Sequence, residues 1–317
     1  DTLRKAYVLT RGLYYQHGAE VSFNTPARVF PFDSTRYPES RLGLADWLLD
    51  KNNPLTARVF VNRIWQEFFG RGLVKTSGDF GLQGEMPTHP ELLDWLALDF
   101  VQHDWNIKRL VKQIVMSATY RESDITGKKA AATDPENIYL SHAPRTRFTA
   151  EGIRDMVLAS SGLLVKDIGG PSVKPYMPKG IWEASTSGRG QLAKYVQDHG
   201  DALYRRGMYT FIKRTVPSPV MLTFDASSRD QCEVRRLNTN TPLQALVLLN
   251  DPQVLEAARV LSERLMKENT SPEDKIKKAF RLIICRNAKN EEIDILNKYF
   301  NAEQQAFLQS KEKAKAF

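Results

Sequence analysis

The sequence predicts a mainly α protein, a globular array of several helices with a glycine-rich irregular insertion and at most a small β element. Apolar residues recur at helical spacing in both the first and the last third of the chain. Capping residues followed by proline mark several helix starts, and glycine and proline are concentrated in the middle. The hydrophobic share of 42% over 317 residues is enough to bury an ordinary core.

The first helical part is predicted over residues 41–164, after an extended arm or linker at residues 1–40. Prolines, glycines and aromatic residues are scattered through the arm without a sustained period. An Asn53-Pro54 pair is typical of an N-cap followed by a first helical position. The sequence Thr88-His89-Pro90-Glu91 has the form of a capping box, which predicts that Thr88 caps the next helix.

Two more residues of this part have a predicted structural role. Thr149 is predicted to cap the helix that ends the part. Arg63 lies among apolar residues in the sequence VNRIW. An arginine buried there would need a carboxylate or carbonyl partner, so we interpret it as a structural pin.

An irregular insertion with a polar segment is predicted over residues 165–240. Six glycines and three prolines between positions 165 and 200 exclude long regular elements there. Two short strand candidates follow at Met208–Ile212 and Pro219–Phe224, because β-branched and aromatic residues are frequent in both. Any sheet is therefore expected to be small.

The last helical part is predicted over residues 241–317. Three pairs of a capping residue and a proline mark helix starts in it: Thr241-Pro242, Asp251-Pro252 and Ser271-Pro272. A final helix is expected to run into a lysine-rich end. Residues 41–317 together are expected to form one compact unit.

The charge and the cysteine count restrict the classes of function. The formal net charge of +8 favours anionic partners, although the cations form no basic stripe and no nucleic-acid motif is present, so nucleic acid is an unlikely partner. No apolar run is long enough to cross a bilayer. Two cysteines without a C-x-x-C pattern indicate neither a zinc site nor attached haem. We therefore expect no metal or cofactor in this segment.

The segment between Tyr204 and Asn240 is the strongest candidate for a functional site. It holds seven cations and three anions, and it leads directly into an apolar helix. Arginine suits carboxylate, phosphate, sulfate and carbonyl partners because its guanidinium is always charged and forked. The predicted ligand-binding residues are Arg205, Arg206, Tyr209, Arg214, Arg235, Arg236, Asn238, Asn240 and, from the insertion, Trp182.

Asp225 and Asp230 are the candidates for proton transfer, and therefore for catalysis, if the site performs chemistry. An alternative stays open for the whole segment. The arginines would then pair with Asp225, Asp230 and Glu233 and hold irregular backbone in place, without any ligand.

Several blocks of the sequence resemble the planctomycete-type domain of unknown function 1553. They are RLGLADWLLDKNNPLTARVFVNRIWQEFFGRGLVKTSGDFGLQGEMPTHPELLDWLA, IVMSATYRES, TRFTAEGIRDMVLASSGLL, GGPSVKPYMPKGIWE and the polar segment itself. The resemblance extends from about Arg41 to about Arg286. Members of this family follow c-type cytochrome modules in large exported bacterial proteins, so the chain is expected to be a piece of a longer polypeptide.

The resemblance implies an extracytoplasmic location, periplasmic or at the cell surface, and a connection with polysaccharide use, but it brings no established reaction. Haem would then belong to an absent upstream domain. Two functions are compatible with the residues. One is binding of an anionic or polyhydroxylated ligand, in a cleft lined by Arg, Asn and Asp; the alternative is a non-catalytic module that docks and positions a c-type cytochrome domain.

Overall fold

A computed structural model of the chain describes residues 4–185, 190, 192–310, 312 and 315. These residues contain twelve α-helices and one two-stranded antiparallel sheet, which confirms the predicted mainly α class. The chain divides into two compact units, Asp1–Thr146 and Arg147–Phe317. The division between them falls inside the segment 41–164, which the sequence predicts to be one helical part. No helix among the described residues is long and apolar enough to span a bilayer.

The first unit, called unit 1 here, begins with the small sheet and continues as helices. Its elements are β1 (Ala6–Leu9), β2 (His17–Val21), α1 (Arg41–Leu48), α2 (Thr56–Phe69), α3 (Pro90–Gln102), α4 (Ile107–Met116) and α5 (Lys128–Thr133). The two strands pair with Ala6 opposite Val21 and with a register irregularity before Leu9. The rest of the N-terminal arm consists of turns. The indole N–H of Trp47 on α1 donates to the carbonyl of Phe30, a residue of this arm, at 3.1 Å.

The core of unit 1 lies between α2, α3 and α4. The apolar stripe of α2, which includes Val61 and Trp65, packs against Leu93 and Leu96 of α3. This burial stabilises helices whose exposed faces are charged, since the apolar area removed from water is worth about 25 cal/mol per Å². The mainly apolar stripe of each helix therefore decides how the three pack.

The loop that follows α2 is held by one buried amide, that of Asn62. Asn62 is fully buried on α2; its Nδ2 donates to the Val74 carbonyl at 3.0 Å, and its Oδ1 accepts from the Val74 backbone N–H at 2.8 Å. Gly72 lies so close to this amide that a Cβ there would be 2.6 Å from Nδ2. A side chain at position 72 would therefore displace the loop.

Two sequence interpretations in unit 1 are wrong. Helix α3 is capped at His89, with Pro90 first in the helix, because the Thr88 hydroxyl and the Thr88 N–H both bind the Leu73 carbonyl instead. Arg63 is exposed and pins nothing in the core. The buried polar residues of that helix include its neighbour Asn62, one position earlier, and Gln66.

The second unit, called unit 2, is built around one central helix. Its elements are α6 (Ala150–Ser161), α7 (Ile181–Ala184), α8 (Pro219–Thr223), α9 (Pro242–Asn250), α10 (Pro252–Met266), α11 (Pro272–Ile284) and α12 (Asn290–Gln309). Helix α6 contacts α8, α10 and α11 and the short turn Gly207–Tyr209. Most of the lysine-rich end, from residue 311 onwards, lies outside the described residues, as does Gly188 of the insertion.

The predicted helix starts in unit 2 are confirmed. Thr149 accepts from the Gly152 N–H, Thr241 forms a capping box with Gln244, and Asp251 accepts from the first N–H groups of α10. Each cap satisfies backbone donors that a helix leaves without a partner. Ser271 caps α11 in the same way.

Both strand candidates of the polar segment are wrong. Pro219–Thr223 is helix α8, because Pro219 occupies its first turn and Val220, Met221 and Phe224 share one face that packs on α6. The other candidate begins in a 3₁₀ turn and reaches only a single bridge, between Val173 and Thr210. Helical spacing of the apolar residues prevails over their β propensity.

We expect the substitution Asn62→Ala to lower the free energy of unfolding of unit 1 by about 2–3 kcal/mol. The change removes a buried amide and leaves the Val74 backbone N–H and carbonyl without these partners. Urea denaturation followed by circular dichroism measures the effect. Arg63→Ala, on the exposed side of the same helix, is the matched control and should change stability by less than about 0.5 kcal/mol. Equal effects of the two substitutions would contradict the assigned role of Asn62.

Candidate functional site

Arg205 and Tyr209 both hold the glycine-rich loop near residues 167–171. The Arg205 guanidinium donates to the Pro171 carbonyl at 2.7 Å and to the Gly169 carbonyl, and it lies 3.8 Å from the Tyr209 ring centroid. The Tyr209 hydroxyl accepts from the Gly169 backbone N–H at 2.7 Å. These two side chains are therefore occupied by the chain itself.

Trp182 anchors the insertion from within. Only 1% of this residue is exposed, and its indole N–H donates to the Leu192 carbonyl at 2.9 Å. Its ring packs against the rings of Tyr195 and Phe211, and the Lys213 ammonium lies 4.4 Å from its centroid. A ring enclosed in this way offers no face to a ligand.

Asp225 joins three parts of the polar segment. Its carboxylate accepts from the Arg147 guanidinium at 2.5 Å, from the Thr239 backbone N–H at 2.8 Å and from the Thr239 hydroxyl at 2.9 Å. Its φ of 58° is a left-handed conformation that a residue without such contacts rarely adopts. Asp225 thus holds a turn in place, whereas Asp230 is exposed and its side chain lies at the surface.

Arg206 and Arg236 both reach the N-terminal half of α6. Arg236 Nη1 lies 2.7 Å from a Glu151 carboxylate oxygen, and Arg206 Nε lies 3.8 Å from an Asp155 oxygen, one turn further along the helix. Burial alone would raise the pKa of Glu151, but the hydrogen bond and charge of Arg236 hold it below its ordinary value. Both arginines therefore lie beside carboxylates of the same helix.

The remaining predicted ligand-binding residues lie on the surface: Arg214, Arg235, Asn238 and Asn240 are all exposed. The predicted set is thus divided between residues that hold backbone, residues that pair with α6 and residues in solvent. The contacts described above do not gather it around a single shared group.

A half-enclosed cavity of about 50 Å³ lies beside α6 in unit 2. Its lining is chiefly apolar and includes Ile153, Val157, Met221 and Phe224. Six residues bring polar side chains to it: Arg154, Tyr176, Thr210, Ser218, Asp251 and Gln253. A mainly apolar cavity with a few polar groups is the usual form of a small-ligand site.

Arg154 is the cation that lines this cavity, and the described residues give it no ion-pair partner. Its guanidinium donates to the Gln253 side-chain oxygen and to the Leu203 carbonyl at 2.7 Å, and makes two longer bonds to the Arg205 carbonyl. No carboxylate of the described residues lies within 4 Å of it. Desolvation by burial lowers the pKa of Arg154 to about 10, a shift that the more distant charges of Asp155 and Asp251 only partly oppose.

Thr210 also lines this cavity, and its hydroxyl is unused. This residue is 8% exposed, and its Oγ1 is buried without a hydrogen-bond partner among the described residues. Asp251, by contrast, is engaged, because its Oδ1 accepts from the Gln253 and Val254 backbone N–H groups. A buried hydroxyl without a partner costs free energy of folding, which a ligand that bonds to it would recover.

A carboxylate with two phenol donors lies close to the cavity. Glu256 accepts from the Tyr204 hydroxyl at 2.9 Å and from the Tyr176 hydroxyl at 3.1 Å. Burial, followed by the hydrogen bond to Glu256, raises the pKa of Tyr204 to about 12. Burial likewise raises the pKa of Tyr195 to about 12.

The family model for a protein of unknown function, DUF1553, matches residues 40–300. The chain belongs to the DUF1553 family. Comparison with curated proteins and with solved structures finds no match. Among the described residues no group of three or more His, Cys, Asp or Glu side chains is placed to hold a metal ion, and Cys232 and Cys285 are both free and exposed.

Sequence reasoning missed Arg154 and Thr210 in this DUF1553 chain. A signal for Arg154 exists, because Ala150, Val157 and Leu158 lie one turn away and place it on the apolar face of its helix. An unpaired cation on such a face is worth noting in any helix. Thr210 has no comparable signal, since its burial depends on packing between segments distant in sequence.

We expect Asp225→Ala to destabilise unit 2 by about 2 kcal/mol, because it leaves a partly buried Arg147 and the Thr239 N–H without their acceptor. Thermal or urea denaturation measures this change. Asp230→Ala is the matched control and should be close to neutral, because Asp230 is exposed. Comparable losses in the two variants would contradict the structural role of Asp225.

Unit 2 should lose stability between about pH 10 and pH 12. The folded pKa of Tyr204, about 12, exceeds its unfolded value of 10.0, so this contribution is complete below pH 10 and disappears as the pH rises through 12. Urea midpoints across this range measure it. Tyr204→Phe should make the decline smaller and leave the part that Tyr195 contributes, whereas Tyr299→Phe, at an exposed position, should leave it unchanged. A decline of the same slope in Tyr204→Phe would argue against this assignment.

Proposed function

We propose that unit 2 is a ligand-binding module that seats an acidic group of its ligand against Arg154. The observation that carries the proposal is a desolvated guanidinium with no carboxylate within 4 Å among the described residues, in the wall of a cavity that also holds an unpartnered Thr210 hydroxyl. An anionic group would supply the missing charge and would accept from both side chains. The proposal is one of binding and assigns no reaction.

The hydrogen bonds of Arg154 leave a donor for such a group. A guanidinium has five N–H groups, and the four bonds to Gln253, Leu203 and Arg205 occupy four of them. The fifth, on Nη1, is left for a ligand. Because charged hydrogen bonds in a desolvated place are stronger than those at the surface, one added acceptor has a large effect here.

The size of the cavity indicates which part of the ligand enters it. A volume of about 50 Å³ exceeds the roughly 10–15 Å³ that one ordered water needs, yet it is far below a complete small-molecule site of about 300 Å³. A carboxylate or sulfate group fits. The rest of an anionic or polyhydroxylated ligand would lie outside, where exposed polar residues such as Arg206, Arg235, Asn238 and Asn240 are the candidates for further contacts.

Binding of uronate-rich and sulfated oligosaccharides, with a neutral oligosaccharide for comparison, tests the proposal by isothermal titration calorimetry. We expect binding of the acidic compounds only. The substitution Thr210→Val should weaken this binding about 2- to 10-fold, since it removes one neutral hydrogen bond. The same substitution should leave folding stability unchanged or raise it, because the hydroxyl has no partner among the described residues.

Arg154→Lys keeps the charge but removes the forked geometry, and it should weaken binding of the acidic compounds at least 10-fold. Arg63→Lys, the same exchange at an exposed position of unit 1, is the matched control and should not affect binding. Unchanged affinity in both Arg154→Lys and Thr210→Val would refute the site. Equal binding of the neutral compound would refute the acidic ligand class.

The family resemblance favours a second proposal, that the module docks a c-type cytochrome domain of an exported protein. The net charge of +8 supports association with an acidic partner surface. Association with the upstream domains that weakens as salt rises, and that Thr210→Val does not affect, is the expected result. The extracytoplasmic location and the connection with polysaccharide use have the same basis and are part of this proposal.

A further inference from the structure

A second cavity, of about 190 Å³, lies within unit 1. Its lining comes from the end of α2 and the loop after it, from Thr88, and from the segment 135–145. Every lining residue belongs to the same unit, so the cavity is independent of the site beside α6. It is several times larger than the space one ordered water needs.

The floor of the cavity is part of the rigid core. Trp65 and Phe69 stack at 4.2 Å between ring centroids, and both are almost completely buried, as is Leu73. The Leu73 carbonyl is bound by the Thr88 backbone N–H at 2.9 Å. The Asn62 amide fixes the loop that follows. The floor therefore has its shape before any ligand arrives.

The wall of the cavity is equally well fixed by its own hydrogen bonds. The buried carboxylate of Asp134 accepts from the Ile138 and Tyr139 N–H groups, both at 2.8 Å. The Asn137 side chain donates to the His142 carbonyl at 2.7 Å. Asn137 and Leu140 adopt φ values of 51° and 55°, a conformation that these contacts hold in place. A wall held this firmly is typical of a preorganised site.

Cationic and acceptor groups meet around this space. Arg71 lies 2.6 Å from a Glu136 oxygen, but its Nε–H is buried and has no partner among the described residues. Arg145, whose Nε pairs with Asp124 at 3.0 Å, and the ring of His142 also line the cavity. The lining therefore combines two guanidinium groups with one carboxylate, that of Glu136, which also lies 3.6 Å from the Lys75 ammonium.

We infer that this cavity binds a small hydroxylated acid of about monosaccharide size. The guanidinium groups of Arg71 and Arg145 would take the acid group, since this pairing is charge-assisted and forked. The Glu136 carboxylate would accept from ligand hydroxyls, and Leu73, Ile138 and Leu140 would face its carbon skeleton. The unpartnered Nε–H of Arg71 is the donor that such a ligand would satisfy.

The test uses the whole chain, with glucuronate as the probe and glucose, inorganic phosphate and acetate as comparisons. Titration is performed with the wild type and with Thr210→Val, which affects only the site in unit 2, so glucuronate binding that is unchanged in this variant is assigned to unit 1. We expect glucuronate to bind at least 10-fold more tightly than glucose, phosphate or acetate. Equal binding of glucuronate and phosphate would overturn the inference, because it would show an anion site without recognition of hydroxyls.

Arg71→Gln retains hydrogen-bond donors but removes the charge, and it should weaken glucuronate binding at least 10-fold. Lys129→Gln, on an exposed position of α5, makes the same change of charge and should not affect binding. A second variant, Arg145→Gln, should also weaken binding, and it serves the test if Arg71→Gln fails to fold. Unchanged glucuronate affinity in folded Arg71→Gln, or in Arg145→Gln where only that variant folds, would overturn the inference. Arg154→Lys should leave this affinity unchanged, so the failure of one site does not imply the failure of the other.

Discussion

Unit 2 depends on one interaction above all, the contact of the desolvated Arg154 guanidinium with the backbone of residues 203–205. Irregular segments such as this one have carbonyl groups that no helix or sheet satisfies, and the guanidinium supplies several donors from a single side chain. Gly207 then approaches α6 so closely that a Cβ would lie 2.7 Å from the Glu151 Cα. Helix α6 therefore positions the polar segment in two ways. Its Arg154 guanidinium binds backbone carbonyl groups of the segment, and Gly207, which has no side chain, lets the segment approach the helix closely.

Other polar side chains of the protein also hold irregular backbone in place. Arg205 supports the glycine-rich loop, Asp225 supports a turn through Arg147 and Thr239, and Asn62 supports the loop after α2. In each case a buried polar side chain takes the place of regular secondary structure. Within the polar segment the arginines have different surroundings: Arg205 holds backbone, Arg206 and Arg236 lie beside carboxylates of α6, and Arg214 and Arg235 are exposed. What distinguishes Arg154 and Arg71 is that each lines a cavity and has a spare N–H group: Arg71 has a buried Nε–H without a partner among the described residues, and the four bonds of Arg154 leave one of its five N–H groups.

The two proposed sites differ in how their cavities are built. The cavity in unit 1 has a floor of stacked aromatic rings and a wall fixed by Asp134 and Asn137, so its shape is set by folding. The cavity beside α6 is smaller and its charged group is more strongly desolvated. One is thus suited to a complete small molecule, and the other to the acidic end of a larger one.

The sequence by itself determined the mainly α class, the helix starts at Thr149, Thr241, Asp251 and Ser271, and the family, because periodicity, capping and motif blocks are local properties. It failed where local signals compete: β propensity suggested a strand at Pro219–Phe224, and a capping pattern suggested Thr88. Only the tertiary structure decided which polar groups are occupied. Arg205 and Arg154 are both arginines, and whether a donor is left over depends on acceptor groups that lie 34 to 99 positions away in the sequence.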